Sequence, residues 1–438
     1  MTDGHELKIP HPPDWARERV DALFGFVSRG TAPVYVEHSS TCAIGQRCVT
    51  EQGFSASRAR PHSVAHLDGV VKPKRGDLLL NSTGTGTIGR SCVFDQDGDF
   101  IVDGHVTLLQ PLVQRVDSRW FDAILRSSWG QSFLETRCYS GSTNQVELSK
   151  SLLCSATVPV PPLVEQRSIS KLLGLVTEAI GSTEQLVEKL KLAKQGLRHD
   201  LLTRGLDDNG ELRDPIRHPG HFQDSSVGKI PKLWQSKVLN ELIDPSRPII
   251  YGILMPGHGF PNGVPVVKVK DIRNGKIDCS ELLLTSPALD YEYRRSRLLT
   301  GDLLFTIRGT VGRMAFVPPE LDAGNITQDT VRISVRETYS SYIRHWLEMP
   351  EPRRFIEINT IGVAVKGINV GDVRRIPVAC PPLAEAKTIS GQLDTAEREI
   401  ELERERFGKL RLLKQALMDD LLTGRVRVIP LLEKDSPL

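Results

Sequence analysis

The stretch with most chemical promise is Gly84-Thr85-Gly86-Thr87-Ile88-Gly89-Arg90-Ser91, which satisfies G-x-G-x-x-G and nearly spells a phosphate-binding loop. Both motifs require a strand before the loop and a helix after it, so that backbone N–H groups converge on the anion. The apolar run Leu78-Leu79-Leu80 supplies the strand, but Ser91-Cys92-Val93-Phe94-Asp95 reads as extended chain, and Arg90 stands where the loop needs lysine. A later segment, Arg308-Gly309-Thr310-Val311-Gly312-Arg313, resembles it without the spacing. The reading is a glycine turn between two strands that presents small polar and arginine side chains, as a nucleic acid would need, and not a nucleotide cradle. Other chemistry is missing. His62, His66, His218 and His221 fall in polar stretches without metal spacing, and the seven cysteines form no C-x-x-C pair. No Ser-His-Asp or Cys-His set can be assembled. The Asp-Pro-Pro-Tyr signature of adenine methyltransferases is absent, because His11-Pro12-Pro13-Asp14 has the wrong ends. No active site and no cofactor are expected on this chain.

The elements that position these residues come in duplicate. The chain has 438 residues, 39% hydrophobic and 25% charged, which fits two to four folded domains. Fifty-six basic against 54 acidic residues leave a net charge of only +2, modest for a protein that grips DNA unaided. No apolar run is long enough to span a bilayer and the first residues lack a secretory pattern, so a cytoplasmic chain with reduced thiols is expected. Pro161-Pro162-Leu163-Val164-Glu165 recurs as Pro381-Pro382-Leu383-Ala384-Glu385; Lys194-Gln195-Gly196-Leu197 as Lys414-Gln415-Ala416-Leu417; Asp200-Leu201-Leu202-Thr203 as Asp420-Leu421-Leu422-Thr423. One offset, 220, relates all three pairs. Upstream, Gly76-Asp77-Leu78-Leu79 resembles Gly301-Asp302-Leu303-Leu304 at a slipped offset. Each half is therefore a variable part followed by a length-constrained part.

The length-constrained part reads as a helix. Ile169, Val176, Thr183, Leu190 and Leu197 fall seven apart, with Leu172, Ala179, Leu186, Ala193 and Leu173, Ile180, Val187, Leu201 on neighbouring rows. Leu393, Ile400, Phe407, Leu421 and Ile389, Ala396, Leu410, Leu417 repeat the pattern, and Gly205 and Gly424 stop the helices. Each helix of about 38 residues would run about 57 Å. Equal length without insertion predicts that the two pair along their length, since an insertion would break register. The variable parts read as α/β units rich in strand. Asp77-Leu-Leu-Leu and Asp302-Leu-Leu-Phe form buried strands, Trp120-Phe121 and Tyr342 to Leu347 begin short helices, and Asn274-Gly275 turns the chain. Residues 206–229 are polar and turn-rich, as in a linker.

This arrangement resembles the specificity subunit of type I restriction–modification systems. The resemblance rests on Pro381 to Glu385, on Leu413 to Val428, on Gly301-Asp-Leu-Leu-Phe with Gly312, and on Val227-Gly-Lys-Ile-Pro-Lys-Leu-Trp234, and it covers nearly the whole chain. The first half matches less closely, and Ala386-Lys387 follows Glu385 where Gln166-Arg167 follows Glu165. It implies an α+β architecture with a pseudo-twofold internal repeat: two α/β target recognition domains separated by two long helices that pair as an antiparallel coiled coil. The segments would be a first recognition domain at 1–160, a spacer helix at 161–205, a linker at 206–229, a second recognition domain at 230–380, a second helix at 381–424 and a tail at 425–438. Each domain would read one half of a bipartite double-stranded DNA target, and the helices would set the spacing and dock two methyltransferase subunits. Motor–nuclease subunits would join the assembly. S-adenosylmethionine, ATP and magnesium would bind to those partners, leaving this chain non-catalytic and off the membrane.

Base readout needs hydrogen-bonding side chains on loops. The candidates are Ser82, Thr83, Thr85 and Arg90 in the first domain and Thr306, Arg308, Thr310 and Arg313 in the second, with Asn144, Gln145 and Lys366 in later loops and Arg60 and Arg294 for phosphates. The domains differ at nearly every such position, which predicts an asymmetric target. The competing readings are a coiled-coil scaffold for a partner enzyme without DNA readout, and an enzyme with a nucleotide loop at Gly84 to Ser91.

Overall fold

The computed structural model describes residues 6–141, 146–335, 339–363 and 365–428. It is mixed α/β and divides into two compact units, residues 1–186 with 403–438, and residues 187–402. The long helices Leu163–Thr203 and Leu383–Leu422 each contribute residues to both units.

In the first unit the run Leu78-Leu79-Leu80 forms the interior of strand Leu78–Asn81, buried on both faces, which is why it reads as continuous apolar sequence and not as an alternation. It lies in an antiparallel sheet of order Phe24–Arg29, Val106–Pro111, Leu78–Asn81, Ser91–Val93. A period of two assigns the side chains to two cores. Leu78, Leu80 and Leu109 meet Trp120 and Phe121 of helix Ser118–Arg126, whereas Leu79 and Leu108 meet Ile44 and Val102. Ile44 and Val102 come from a second sheet. Its central strand, Thr41–Ile44, pairs antiparallel with Arg60–Pro61 and parallel with Asp99–Val102. A third pairing, Ala16–Arg19 with Thr157–Val160, ties the start of the unit to the strand that precedes Pro161-Pro162.

The second unit repeats this topology. Its antiparallel sheet runs Ile250–Tyr251, Thr330–Ile333, Leu303–Thr306, Met314–Phe316. Its mixed sheet centres on Val264–Val267, antiparallel to Leu283–Thr285 and parallel to Asn325–Ile326. Gln235–Val238 pairs with Pro377–Cys380. Leu303 and Phe305 face Tyr342 and Trp346 of helix Ser340–Leu347, and Leu304 faces Val267 and Ile326. The Gly-Asp turn that enters the central strand is the same in both copies. Gly76 and Gly301 have φ of 96° and 87°, and Asp77 and Asp302 accept the N–H of Lys74 and Leu299. Asn274-Gly275, both at positive φ, closes the two-residue hairpin between Ile272–Arg273 and Lys276–Ile277.

Each unit buries part of both helices. Ile169 and Leu173 share a core with Leu421 and Leu422 in the first, and Leu201 and Leu202 share one with Ile389 and Leu393 in the second. The buried stripe is narrower than three rows: Ile169, Leu173, Thr183, Val187 and Leu201 are buried, but Leu186 is exposed. The stretch 206–229 is not a free linker. Leu206 and Val227 join the core of the second unit, Phe222 is buried, and Phe222–Ser225 forms a hairpin with Gly228–Pro231. Its polar composition concealed two core anchors, Leu206 and Val227, and the buried Phe222.

Parallel clamps fasten the helix ends. Glu385 accepts Arg213 at 2.6 Å and the Leu206 N–H at 2.8 Å. In the other unit Glu165 accepts Arg427 at 2.7 and 2.9 Å and the Trp15 indole at 3.3 Å. The chain following each helix thus binds the start of the other. All seven cysteines are free thiols, with Cys48 and Cys138 pushed up by burial to about 11 and about 12. No helix among the described residues is long and apolar enough to cross a membrane.

Candidate nucleic-acid interface

In the first unit the glycine-rich loop joins two neighbouring antiparallel strands, as the absence of a following helix requires. The foot of the loop is held from inside. The Asn81 side-chain amide donates to the carbonyls of Gln46 and Thr87, both at 3.1 Å, and the Gly89 N–H donates to the Asn81 carbonyl. Gly89 has φ of 80°, and a Cβ there would lie 2.2 Å from the Tyr139 hydroxyl, so only glycine fits. The Leu148 N–H donates to the Ser82 carbonyl, which sets the pair Tyr139–Ser140 and Glu147–Leu148 beside the loop.

The second unit is built alike. The Gly312 N–H donates to the Thr306 carbonyl, and the Ile368 N–H to the Ile307 carbonyl. The pair Thr360–Ile361 and Gly367–Ile368 therefore lies beside the loop after Thr306, and the Gly309 N–H donates to the Lys366 carbonyl at 2.9 Å. The offset between copies is 225 at Asn81 and Thr306 and 223 at Arg90 and Arg313, so the loops differ by two residues.

The candidates divide by exposure. Thr85, Arg90, Arg308, Thr310, Arg313 and Lys366 are exposed, and the second loop brings Arg308 and Lys366 together. Ser82 and Thr306 are fully buried. The Ser82 hydroxyl pairs with Thr107 and that of Thr306 donates to the Thr310 carbonyl while accepting the Arg313 N–H. In this conformation both shape the loop foot and neither faces solvent, because each closes a strand whose two sides are covered. Thr83 is half-buried between Gln46 and His105. Arg60 stands apart, on the edge strand of the mixed sheet, stacked 3.6 Å over Tyr35. Arg294 lies over Tyr291 at 4.8 Å, beside Arg295 and Arg297. Asn144 and Gln145 lie outside the described residues. Sequence reasoning missed Gln46 and His105, which touch the loop from a 3-10 turn and a strand-to-strand turn and carry no motif.

One titratable cluster looks metal-like. His345, Asp394 and Glu397 bring ligand atoms together in the second unit. Their partners assign them differently: Arg344 and Lys194 pair with Glu397, and His345 lies 2.8 Å from Asp394. Burial opposes charge on Glu397, but the hydrogen bonds and charges of Arg344 and Lys194 outweigh it and hold the carboxyl at about 2. Asp394 is likewise held at about 2 against burial, by His345, Ser341 and Arg344. Burial lowers His345. Carboxylates so saturated with cations clamp helix Ser340–Leu347 to the long helices and leave no place for a metal.

No protein-family model matches the chain. Among curated proteins it is 27% identical over 348 residues to the type I restriction enzyme EcoBI specificity subunit of Escherichia coli, covering 74% of this chain and 72% of that one. It is 25% identical over 358 residues to the putative type I restriction enzyme MjaX specificity subunit of Methanocaldococcus jannaschii, covering 81% and 79%. Two solved structures share the fold. One is the S subunit of a type I restriction–modification system from M. genitalium, with TM-score 0.57, 12% identity and coverage of 95% and 98%. The other is a chain from a study of complex assembly and conformational transition of the type I R-M system, with TM-score 0.52, 16% identity and coverage of 96% and 100%. The resemblance expected from the sequence therefore stands: this chain is similar to curated specificity subunits of type I restriction enzymes.

Proposed function

We propose that the chain is the non-catalytic DNA-specificity subunit of a type I restriction–modification complex, each recognition domain reading one half of an asymmetric bipartite target. The observation that carries this reading is one topology built twice with different loop chemistry. Thr85 and Arg90 are displayed in one copy, Arg308, Thr310, Arg313 and Lys366 in the other, on frameworks whose four-stranded and three-stranded sheets correspond. Equal frameworks give equal presentation, and unequal side chains give unequal half-sites.

The helices, at 41 and 40 residues, would run antiparallel as a ruler of about 60 Å, long enough to hold half-sites about one turn apart, ~34 Å, on one face of B-DNA. Apolar side chains left on their outer faces (Leu175, Leu192, Leu402, Leu412) suit the docking of two methyltransferase subunits. With the net charge near zero, those partners would supply much of the phosphate contact. The partners, motor–nuclease subunits included, would carry the chemistry together with S-adenosylmethionine, ATP and magnesium, in the cytoplasm where the host DNA is.

Single-molecule methylation mapping in cells carrying the chain with its partners tests this. The expected result is a methylated asymmetric bipartite motif that changes in one half when residues 1–160 are exchanged. A motif indifferent to this chain, with no DNA binding by the assembled complex, would leave it a scaffold and overturn the proposal.

A further inference from the structure

At one position the two copies of the recognition fold break their correspondence in an unexpected direction. The strand pairing that sets Leu79 opposite Leu108 sets Leu304 opposite Arg332. Leu108 is fully buried in an apolar core. Arg332 is 2% exposed at the equivalent place, where a cation must be desolvated and gains nothing from packing that leucine would not give.

Arg332 is not held there by a carboxylate. Its guanidinium donates to the carbonyls of Arg295 and Arg297, both at 2.8 Å, and of Pro248 at 3.3 Å, while its Nε has no partner among the described residues. These segments surround a concave pocket of about 260 Å³ lined by Ser246, Arg247, Arg294, Arg295, Arg297 and Arg332. Two of the five arginines are neutralised: Arg247 by Asp302 at 2.8 and 3.0 Å, and Arg297 by Asp290. Those carboxylates are committed further, Asp302 to Ser334 and the Leu299 N–H, and Asp290 to Asn325. Asp244 accepts the N–H and hydroxyl of Ser246, and its charge and that of Asp302 also act on Arg332. Arg294, Arg295 and Arg332 have no ion pair among the described residues. Burial, with Arg247 adding to it and the charges of Asp302 and Asp244 opposing it, pushes Arg332 down to about 10, so it stays charged at neutral pH.

We propose that this pocket is a binding site for a tetrahedral phosphate-type oxyanion, with Arg332 as its floor and Arg294 and Arg295 as its jaws. Guanidinium groups are the side chains best shaped to hold such an oxyanion in pairs of hydrogen bonds. The anion is a DNA backbone phosphate or a free phosphate. The first source rests on the proposed DNA reading and the second does not. The site belongs to the second recognition domain alone, since the first has Leu108 at the floor.

The test uses the full chain assembled with its partner subunits, in wild type, Arg294→Ala/Arg295→Ala and Arg332→Leu forms. The first variant changes exposed residues and keeps the fold. The second copies the residue of the sister domain and is read only where its thermal transition survives; otherwise the first variant decides. One arm measures affinity for cognate and unrelated duplexes against salt. The other measures the thermal shift produced by inorganic phosphate or pyrophosphate. If the pocket holds the DNA backbone, both variants lose about tenfold on both duplexes, and the slope of log affinity against log salt falls by about 1. If it holds a free anion, the DNA slope is unchanged and the phosphate-induced shift disappears in both variants. If the jaw variant alters neither reading, or a folded Arg332→Leu leaves intact what the jaw variant loses, the pocket is refuted and the arginines are surface charge. A wild-type complex without DNA affinity would refute the recognition reading, while the phosphate arm would still judge the pocket.

Discussion

Arg308→Ala separates reading DNA from holding the loop together. Arg308 is exposed, makes no side-chain hydrogen bond among the described residues, and its stem lies beside Gly367. Removing it orphans no buried donor or acceptor, so stability should change by less than about 0.5 kcal/mol. Arg313, in the same loop, donates to the carbonyls of Ile272 at 3.2 Å and Val269 at 3.4 Å. Losing those two long bonds should cost about 1 kcal/mol and loosen the loop. On DNA the order reverses. An arginine paired to a guanine edge contributes about 1–3 kcal/mol of discrimination, which is roughly 5- to 150-fold in affinity. Arg308→Ala should therefore weaken the cognate duplex by that factor and unrelated duplexes much less, and it should relax the half-motif assigned to the second domain. Denaturation midpoints and fluorescence anisotropy on matched and half-mismatched duplexes give both numbers. Relaxation of the other half, or a fall in stability with unchanged DNA discrimination, would refute the reasoning.

Glu397→Gln should lower stability by roughly 1 kcal/mol at neutral pH, a figure discounted because the carboxylate is 38% exposed. Its folded value, about 2, lies below the ordinary 4.5, so its contribution is complete above about pH 4.5 and is lost as pH falls toward 2; the midpoints of variant and wild type should converge there. Gly252→Ala should abolish soluble expression or lower the melting temperature sharply, since the new Cβ would lie 1.9 Å from the Ile326 carbonyl oxygen. Gly391→Ala, on a helix face with nothing within 4 Å, should instead raise stability by about 0.5–1 kcal/mol. Leu393→Ala removes a fully buried side chain of the helix seam and should cost about 2–5 kcal/mol by urea denaturation.

Local and periodic features were legible in the sequence. The two long helices, the Gly-Asp turns, the buried leucine strands and the 220-residue repeat each depend on residues near one another in the chain or on exact repetition, and the structure contains each of them, with a narrower buried stripe on the helices than the heptads suggest. So was the glycine loop, once Ser91 to Val93 read as strand and not as helix. What the sequence could not say is which side of a strand stays wet. Ser82 and Thr306 looked like loop donors and are buried feet, because a second sheet covers a face that no local pattern marks. Arg332 lies in an alternating stretch where arginine should point outward, yet both faces are covered and it became the floor of a pocket. The linker's apolar anchors, the clamps of Glu165 and Glu385 and the split of each helix between two units also arise from contacts between residues far apart in the chain. Periodicity reports the geometry of one element. Burial on the second face of a sheet is a property of the neighbour, and only tertiary structure supplies the neighbour.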